Sequence, residues 1–233
     1  MRRLGALDGR RVLVVGASRG IGAAVVAAAR AAGARVAGVA RRRGDVTADV
    51  ALVGDVRDPH SCAAFVESAV AALDGLDALV YCPAELPLRL LAETTPEIWN
   101  ATWETNVRGA ALVTAAALPA LRGTGGRALY LSSDIVGDPR QGLGAYAVSK
   151  AALDQLVDCW RIEEPAVSFT RLTVGPTLTT IARGWDTELA QRLATEWLAA
   201  GWSPERVMTP EEVAKRVVDV LSDPAPPAAV DIL

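Results

Sequence analysis

Short apolar runs alternate along this chain with longer stretches of helical periodicity. Val12-Leu13-Val14-Val15 is apolar throughout and rich in β-branched residues, the mark of a strand covered on both faces. Gly16–Gly22 follows as a turn with three glycines, and an Ala/Val-rich helix then runs to Ala32, where Gly33 stops it. Val36–Ala40 and Val50–Val53 read as the second and third strands. The residues between them, Arg41–Asp49, are too few for a crossover helix, so a loop or single turn is expected. Pro59–Leu73 reads as a helix and Asp77–Tyr81 as the fourth strand. Thr95-Pro96-Glu97 opens a helix with proline at its first position, expected to run through Asn106 to about Leu121. Gly123–Gly126 breaks it before a fifth strand, Arg127–Leu131. A helix carrying Tyr146 runs to about Glu163 and is ended by Pro165. Val167–Val174 is the sixth strand, Thr177–Arg206 is less regular and Trp-rich, Pro210–Leu221 is a last helix, and Ala228–Ile232 can form a short closing strand.

With no internal repeat and no linker, this order predicts one α/β, doubly wound domain over residues 1–233, lacking most of the helix between strands two and three. A chain of 233 residues, 51% hydrophobic, can bury one sizeable core. A net charge of −3 with no basic stripe excludes nucleic acid as the expected partner. The three cysteines have no metal-ligand spacing, and their odd count argues against a disulfide framework; Cys82 and Cys159 read as buried small apolar residues. His60 is the only histidine and reads as a surface residue. That excludes a Ser-His-Asp triad and a multi-His site, so no metal is expected. Met1-Arg2-Arg3 opens like a signal peptide, but Leu4-Gly5-Ala6-Leu7 is cut short by Asp8 and Arg10-Arg11. No apolar run reaches membrane-spanning length. A cytoplasmic enzyme is the expectation.

Two patterns carry chemistry. The first is strand, glycine-rich turn and helix, which sets backbone N–H groups and a helix N-terminus against a pyrophosphate. Gly16 would allow the turn, Gly20 the close approach of phosphate, and Gly22 close helix–strand packing. The second is Tyr146-Ala147-Val148-Ser149-Lys150, which stacks a phenol and an ammonium one turn apart on a helix. Of 24 basic residues only Lys150 and Lys215 are lysines, so a lysine here is not a generic charge. Ser133, after the apolar run Ala128–Leu131, would sit at a strand end facing that helix. A free tyrosine titrates near 10, roughly three units or about 4 kcal/mol above neutrality. An ammonium ~4 Å away at an effective dielectric of about 20 supplies about that amount, so Lys150 is expected to ease ionisation of Tyr146. Taken singly, Tyr-x-x-x-Lys can be a solvated helix face, Ser133 a plain strand end and Asn106 a helix-interior residue; the combination gives them weight.

The glycine turn, Asn106, Ser133 and Tyr146-x-x-x-Lys150, in that order over about residues 10–222, resemble the short-chain dehydrogenase/reductase family. The resemblance implies a Rossmann-type sheet of seven parallel strands and a nicotinamide-dependent oxidoreductase with Asn106, Ser133, Tyr146 and Lys150 as its catalytic tetrad. Asn106 would hold a water linking Lys150 to solvent. The resemblance also implies cofactor contacts from Gly16, Ser18, Arg19, Gly20, Ile21 and Gly22, from Asp55 and Val56 at the adenine, from Tyr146 and Lys150, and from Thr180 at the nicotinamide. Three departures stand out: Tyr81-Cys82-Pro83-Ala84 replaces Asn-Asn-Ala-Gly, Gly175-Pro176 reverses Pro-Gly, and Val230-Asp231-Ile232-Leu233 lacks the usual Asp-Gly-Gly.

Where NAD-using members carry an acidic residue, this chain has Ala40 followed by Arg41 and Arg42, with Arg19 in the turn. Guanidinium groups suit a 2′-phosphate, so NADPH is expected over NADH, and with it reduction of a ketone, aldehyde or quinone. Glu85–Leu91, Ile135–Leu143 and Thr177–Arg206 should set substrate choice. Trp185, Trp197 and Trp202 either wall an apolar pocket under a lid at about 177–206 or pack a small helical subdomain. No charged residue stands out as a substrate anchor, so the substrate is expected to be a neutral or partly apolar small molecule. Val148, Ala152, Gln155 and Cys159 form a mostly apolar outer face on the Tyr146 helix, which predicts a homodimer or homotetramer. The rival readings are a non-catalytic dinucleotide sensor and a redox isomerase or lyase of the same family.

Overall fold

The computed structural model describes residues 5–204 and 206–233, so Met1-Arg2-Arg3, the signal-like start, lies outside the described residues. Seven parallel strands form one sheet in the order β3-β2-β1-β4-β5-β6-β7. They are β1 Arg11–Val15, β2 Arg35–Ala40, β3 Val50–Val53, β4 Ala78–Tyr81, β5 Arg127–Ser133, β6 Ser168–Val174 and β7 Ala229–Ile232. The crossover helices are α1 Gly20–Ala31, α2 Pro59–Leu73, α3 Pro96–Trp103, α4 Gly109–Thr124, α5 Gly144–Glu163, α6 Thr187–Ala199 and α7 Pro210–Ser222. Between β2 and β3 there is only a 3₁₀ turn, Arg43–Asp45, as the short spacing requires. Among the described residues, no helix is long and apolar enough to cross a membrane.

Side chains alternate across the pleat, and the apolar strands serve two cores. Leu13 and Val15 of β1 pack with α2, α4 and α5 through Phe65, Val113 and Leu153. Val12 and Val14 pack on the opposite face with α1 and α7 through Val25, Val26, Val213 and Val217. Because the chain builds β1 to β3 outward and then returns past β1 to β4, the crossovers diverge at β1 and β4. Their carboxyl ends open a crevice there.

Two expectations change. Thr177–Arg206 contains α6, a regular helix whose N-cap Asp186 accepts from the Leu189 N–H. Its apolar stripe, Leu189, Leu193 and Trp197, repeats every fourth residue amid charged neighbours, and a stripe that narrow still seats Leu193 in full burial. Cys159 is exposed and Cys82 half-buried; of the three free cysteines only Cys62 is buried. Cys159 lies on the outer face of α5, which no other part of the chain covers among the described residues.

The end of α7 is held from across the sheet. Arg127, at the start of β5, is buried and its Nη1 donates to the carbonyls of Val220, Leu221 and Asp223 at 3.2, 2.9 and 2.7 Å. A cation there meets the unpaired carbonyls and the negative end of the helix dipole together. Arg127→Met should strand those carbonyls and cost about 2–3 kcal/mol, lowering Tm by roughly 5 °C or more. A thermal melt monitored by circular dichroism checks this; an unchanged Tm would show that water serves the helix end equally well.

Candidate functional site

A cleft of about 460 Å³ opens where β1, β4, β5 and β6 end. On one side lies the turn after β1. Gly16 takes φ +83°, and a Cβ there would come within 3.0 Å of the Pro83 nitrogen, so the turn packs directly on the Cys82-Pro83 departure. A Cβ on Gly22 would meet the Gly16 carbonyl oxygen at 2.1 Å; only glycine lets α1 start this close to β1. Arg19 caps α1 without a side-chain hydrogen bond, and no acidic residue lies in the first turn. The first N–H groups of α1 therefore face the cleft with the positive end of the helix dipole behind them. Opposite, Thr180 Oγ1 is buried with no hydrogen-bond partner among the described residues, a group awaiting something outside the chain. An uncapped helix start and an orphaned hydroxyl across one cleft fit a dinucleotide.

Of the residues singled out in the sequence, all but Arg42 and Asn106 line this cleft. Arg41 follows the buried Ala40 and is exposed, as is Arg19, so both guanidinium groups reach the same mouth. Arg42 turns away to pair with Asp45 at 3.2 Å. Asp55 is paired with Arg57 at 2.6 Å, and that guanidinium holds its carboxyl below the ordinary range. Arg57 lines the cleft as well. Its position two residues past Asp55 was the signal to notice, since an exposed Asp-x-Arg can close on itself.

At the cleft floor, β5 delivers Ser133 and α5 delivers Tyr146 and Lys150. Ser133 is 8% and Lys150 2% exposed. Lys150 Nζ donates to the Leu131 carbonyl at 2.7 Å and lies 5.6 Å from the Tyr146 ring centroid. Burial pushes the lysine down to about 8, with Asp154 opposing the shift. Burial likewise pushes the Tyr146 phenol up to about 12; the Ser133 hydroxyl pulls it back and Asp134 adds to the rise. The expected easing of Tyr146 by Lys150 does not appear in this shift, which burial dominates.

Asn106 sits behind this floor, fully buried in a π-helical turn, Glu104–Arg108, between α3 and α4. Its Oδ1 accepts from the Glu85 N–H at 2.8 Å, and its Nδ2 donates to the Glu85 carbonyl at 2.9 Å and to Ser149 Oγ at 2.8 Å. The side-chain amide is therefore engaged with the chain itself. It ties the loop after β4 to α5.

The outer wall is aromatic. Trp185 Nε1 donates to the Leu86 carbonyl at 2.8 Å and Trp197 Nε1 to the Gln141 carbonyl at 3.0 Å. Trp202 packs edge-on to Trp197 with centroids 5.8 Å apart. All three line the cleft, and Trp185 and Trp197 also pack against Leu88, Ile135 and Leu143. Charged groups join this wall against expectation. Asp134 and Arg140 both line it, paired at 2.5 Å.

The family model for short chain dehydrogenase matches residues 10–190. A short-chain type dehydrogenase/reductase of Picea abies is 29% identical over 193 residues, 73% of this chain and 70% of its own. The next relatives are matched over only 14, 42 and 53% of their lengths. A short-chain dehydrogenase structure from Streptomyces avermitilis superposes with TM-score 0.81 at 26% identity, over 96% of this chain and 88% of that one. An alcohol dehydrogenase from Thermococcus sibiricus, complexed with 5-hydroxy-NADP, shares the fold at TM-score 0.81 and 24% identity, over 96 and 95% of the two chains. With a glycine turn at a sheet crevice, a buried Ser and Lys and a half-buried Tyr on its floor and a family match over most of its length, the chain belongs to the short-chain dehydrogenase family, whose members are oxidoreductases that bind a nicotinamide dinucleotide.

Proposed function

We propose that this protein reduces a carbonyl compound to an alcohol with NADPH, using Tyr146 as the general acid. One observation carries the reading: a phenol, a hydroxyl and a buried lysine converge on the floor of the cleft that begins at the uncapped start of α1. A bound nicotinamide would supply the hydride. The chain's part is to place the substrate oxygen and protonate it. With its phenol pushed up to about 12, Tyr146 holds its proton at neutral pH and is poised as a donor rather than an acceptor. Ser133 would hydrogen-bond the substrate oxygen as charge develops. Lys150, out of water, would steady the phenolate left behind and hold the nicotinamide ribose. The cleft's tryptophans, with Ile135 and Leu143 beside them, suit a partly apolar small molecule, and residues 177–206 would act as a lid over it in a single domain.

Tyr146→Phe should abolish reduction of a panel of ketones, aldehydes and quinones while leaving NADPH affinity within a few-fold. Lys150→Arg should fail too, since the larger guanidinium cannot replace a point charge in that space. Loss of nicotinamide absorbance reads both. More than about a tenth of the activity in Tyr146→Phe, less loss than removal of a general acid causes, would end this mechanism.

The cofactor preference rests on Arg19 and Arg41 at the mouth and on Ala40, which offers no carboxylate to a ribose 2′-hydroxyl. Two charge-assisted donors on a 2′-phosphate are together worth tenfold or more. Calorimetry should give a Kd for NADPH at least about tenfold below that for NADH, and Arg41→Ala should close most of that gap. Comparable affinities in the wild type would reject the preference.

Self-association follows from the outer faces of α4 and α5. Val148 is 51% exposed, Cys159 and Gln155 are exposed and Ala152 half-buried; on α4, Ala115 and Pro119 are exposed and Leu112 half-buried. Two neighbouring helices with apolar outer faces suit pairing with a second copy about a two-fold axis. Light scattering at micromolar concentration should report at least a dimer, and Ala152→Glu should weaken it by burying an unpaired charge. A mass near the 24.3 kDa of one chain would refute the pairing.

A further inference from the structure

Ser133 is engaged in the cleft by a charged pair. Its Oγ lies 3.1 Å from Asp134 Oδ1, a carboxylate oxygen that can only accept, so in this arrangement the serine proton points at Asp134, and the hydroxyl favours the Tyr146 phenolate only when turned to it. The Ile135 N–H approaches the same Oγ at 3.4 Å. Asp134 Oδ2 in turn accepts from Arg140 Nη2 at 2.5 Å. The Arg140 side chain is only 9% exposed, reaches Asp138 at 3.5 Å, and lies 4.2 Å over the Trp202 ring. Its Nε finds no hydrogen-bond partner among the described residues. The guanidinium is thus fixed by stacking and by one strong contact, rather than spread over many.

A hydroxyl has one proton to give. While Ser133 gives it to Asp134, it cannot give it to an oxygen in the cleft. How firmly Asp134 keeps that proton depends on how much of its charge Arg140 offsets. We propose that Asp134 and Arg140 are a positioning pair: Asp134 holds the Ser133 hydroxyl turned aside, and Arg140 weakens that hold enough for Ser133 to turn to a substrate oxygen. Neither residue touches the reacting atoms. The inference rests on the reading of Tyr146 as the proton donor.

The polar and charged groups that share this end of the cleft with Tyr146 come from four places: Lys150 on its own helix, Ser133 and Asp134 at the end of β5, Arg140 in the loop that follows, and Glu85 in the loop after β4. Asp134 disfavours the phenolate and Arg140 offsets Asp134. Removing the two charges must therefore move Tyr146 in opposite directions. A pair that merely braced the loop would respond alike to loss of either member.

The three tyrosines of this chain make the test direct. Replaced throughout by a ring-fluorinated tyrosine, which ionises at lower pH, they give three fluorine NMR resonances. Tyr146→Phe assigns the relevant one. Tyr81 and Tyr130, fully buried, are pushed further up than Tyr146, so Tyr146 titrates first. Asp134→Asn should shift that titration down by about one pH unit and Arg140→Met up by a similar amount, with Arg140→Lys close to wild type. Should Arg140→Met fail to fold, Arg140→Gln serves the same comparison. Shifts in the same direction, or no shift in either variant, would overturn the proposal. The titration needs no substrate, so its outcome is separate from the turnover of Tyr146→Phe that judges the acid role itself.

Discussion

An ammonium held out of water sets the terms for this site. Lys150 is 2% exposed, and burial pushes it down to about 8 from 10.5. Its folded-state value lies below its unfolded one, so the unfolded chain binds that proton more tightly. The protein therefore gains stability as pH rises from about 8 to 10.5, and at neutrality the charge is a cost to the fold. The cost is borne because α5 is pinned along β5 and β6 by Leu153 and Val157, both buried. Lys150 cannot swing out to solvent without that seam opening. The same seam fixes Tyr146 one turn earlier. The geometry of the phenol is thus a by-product of the burial that makes the lysine expensive.

Most strands were legible because a parallel sheet covered on both faces leaves continuous apolar runs. Val12–Val15 and Ala128–Leu131 could hardly be anything else. The edges were harder. Only Ile232 of β7 is buried, so the strand is defined by its ladder to β6, from Arg171↔Ala229 to Val174↔Ile232, rather than by its composition. α6 was missed because its face is one residue wide and depends on Leu88, Ile135 and Leu143, which lie far away in the chain. A helix whose packing partner is remote carries little of its own signal.

The site divides along the same line. Tyr146 and Lys150 are fixed by spacing on one helix, and Ser133 by a strand end, so local rules suffice. Arg140 is read as loop until Trp202 is placed beneath it at 4.2 Å, and Asp134 is read as a turn residue until Arg140 reaches it. The sign of the Tyr146 shift was likewise out of reach. Coulomb attraction can be reckoned from helix spacing, whereas desolvation depends on the remote cluster of Leu88, Ile135, Leu143 and Leu193 against which Tyr146 packs. Charge is written in the sequence; dielectric is not.

Tyr81, the first residue of the tetrapeptide that departs from the family pattern, has a clear physical place. Its hydroxyl donates to the Thr105 carbonyl at 2.6 Å, inside the π-helical turn where the Gly109 N–H skips back to the Glu104 carbonyl. A π turn inserts one extra residue and leaves backbone carbonyls in need of donors; Tyr81 supplies one. It can do so because residue 109 is glycine, since a Cβ there would lie 2.6 Å from the Tyr81 oxygen. The turn in its place, Asn106 faces inward and clamps both backbone groups of Glu85, just past Cys82-Pro83-Ala84. The departing segment is therefore tied at both ends. Its front holds the π turn by a side chain, and the π turn holds its back by Asn106. A proline in the middle, which removes one N–H donor, is tolerated because neither end relies on that donor.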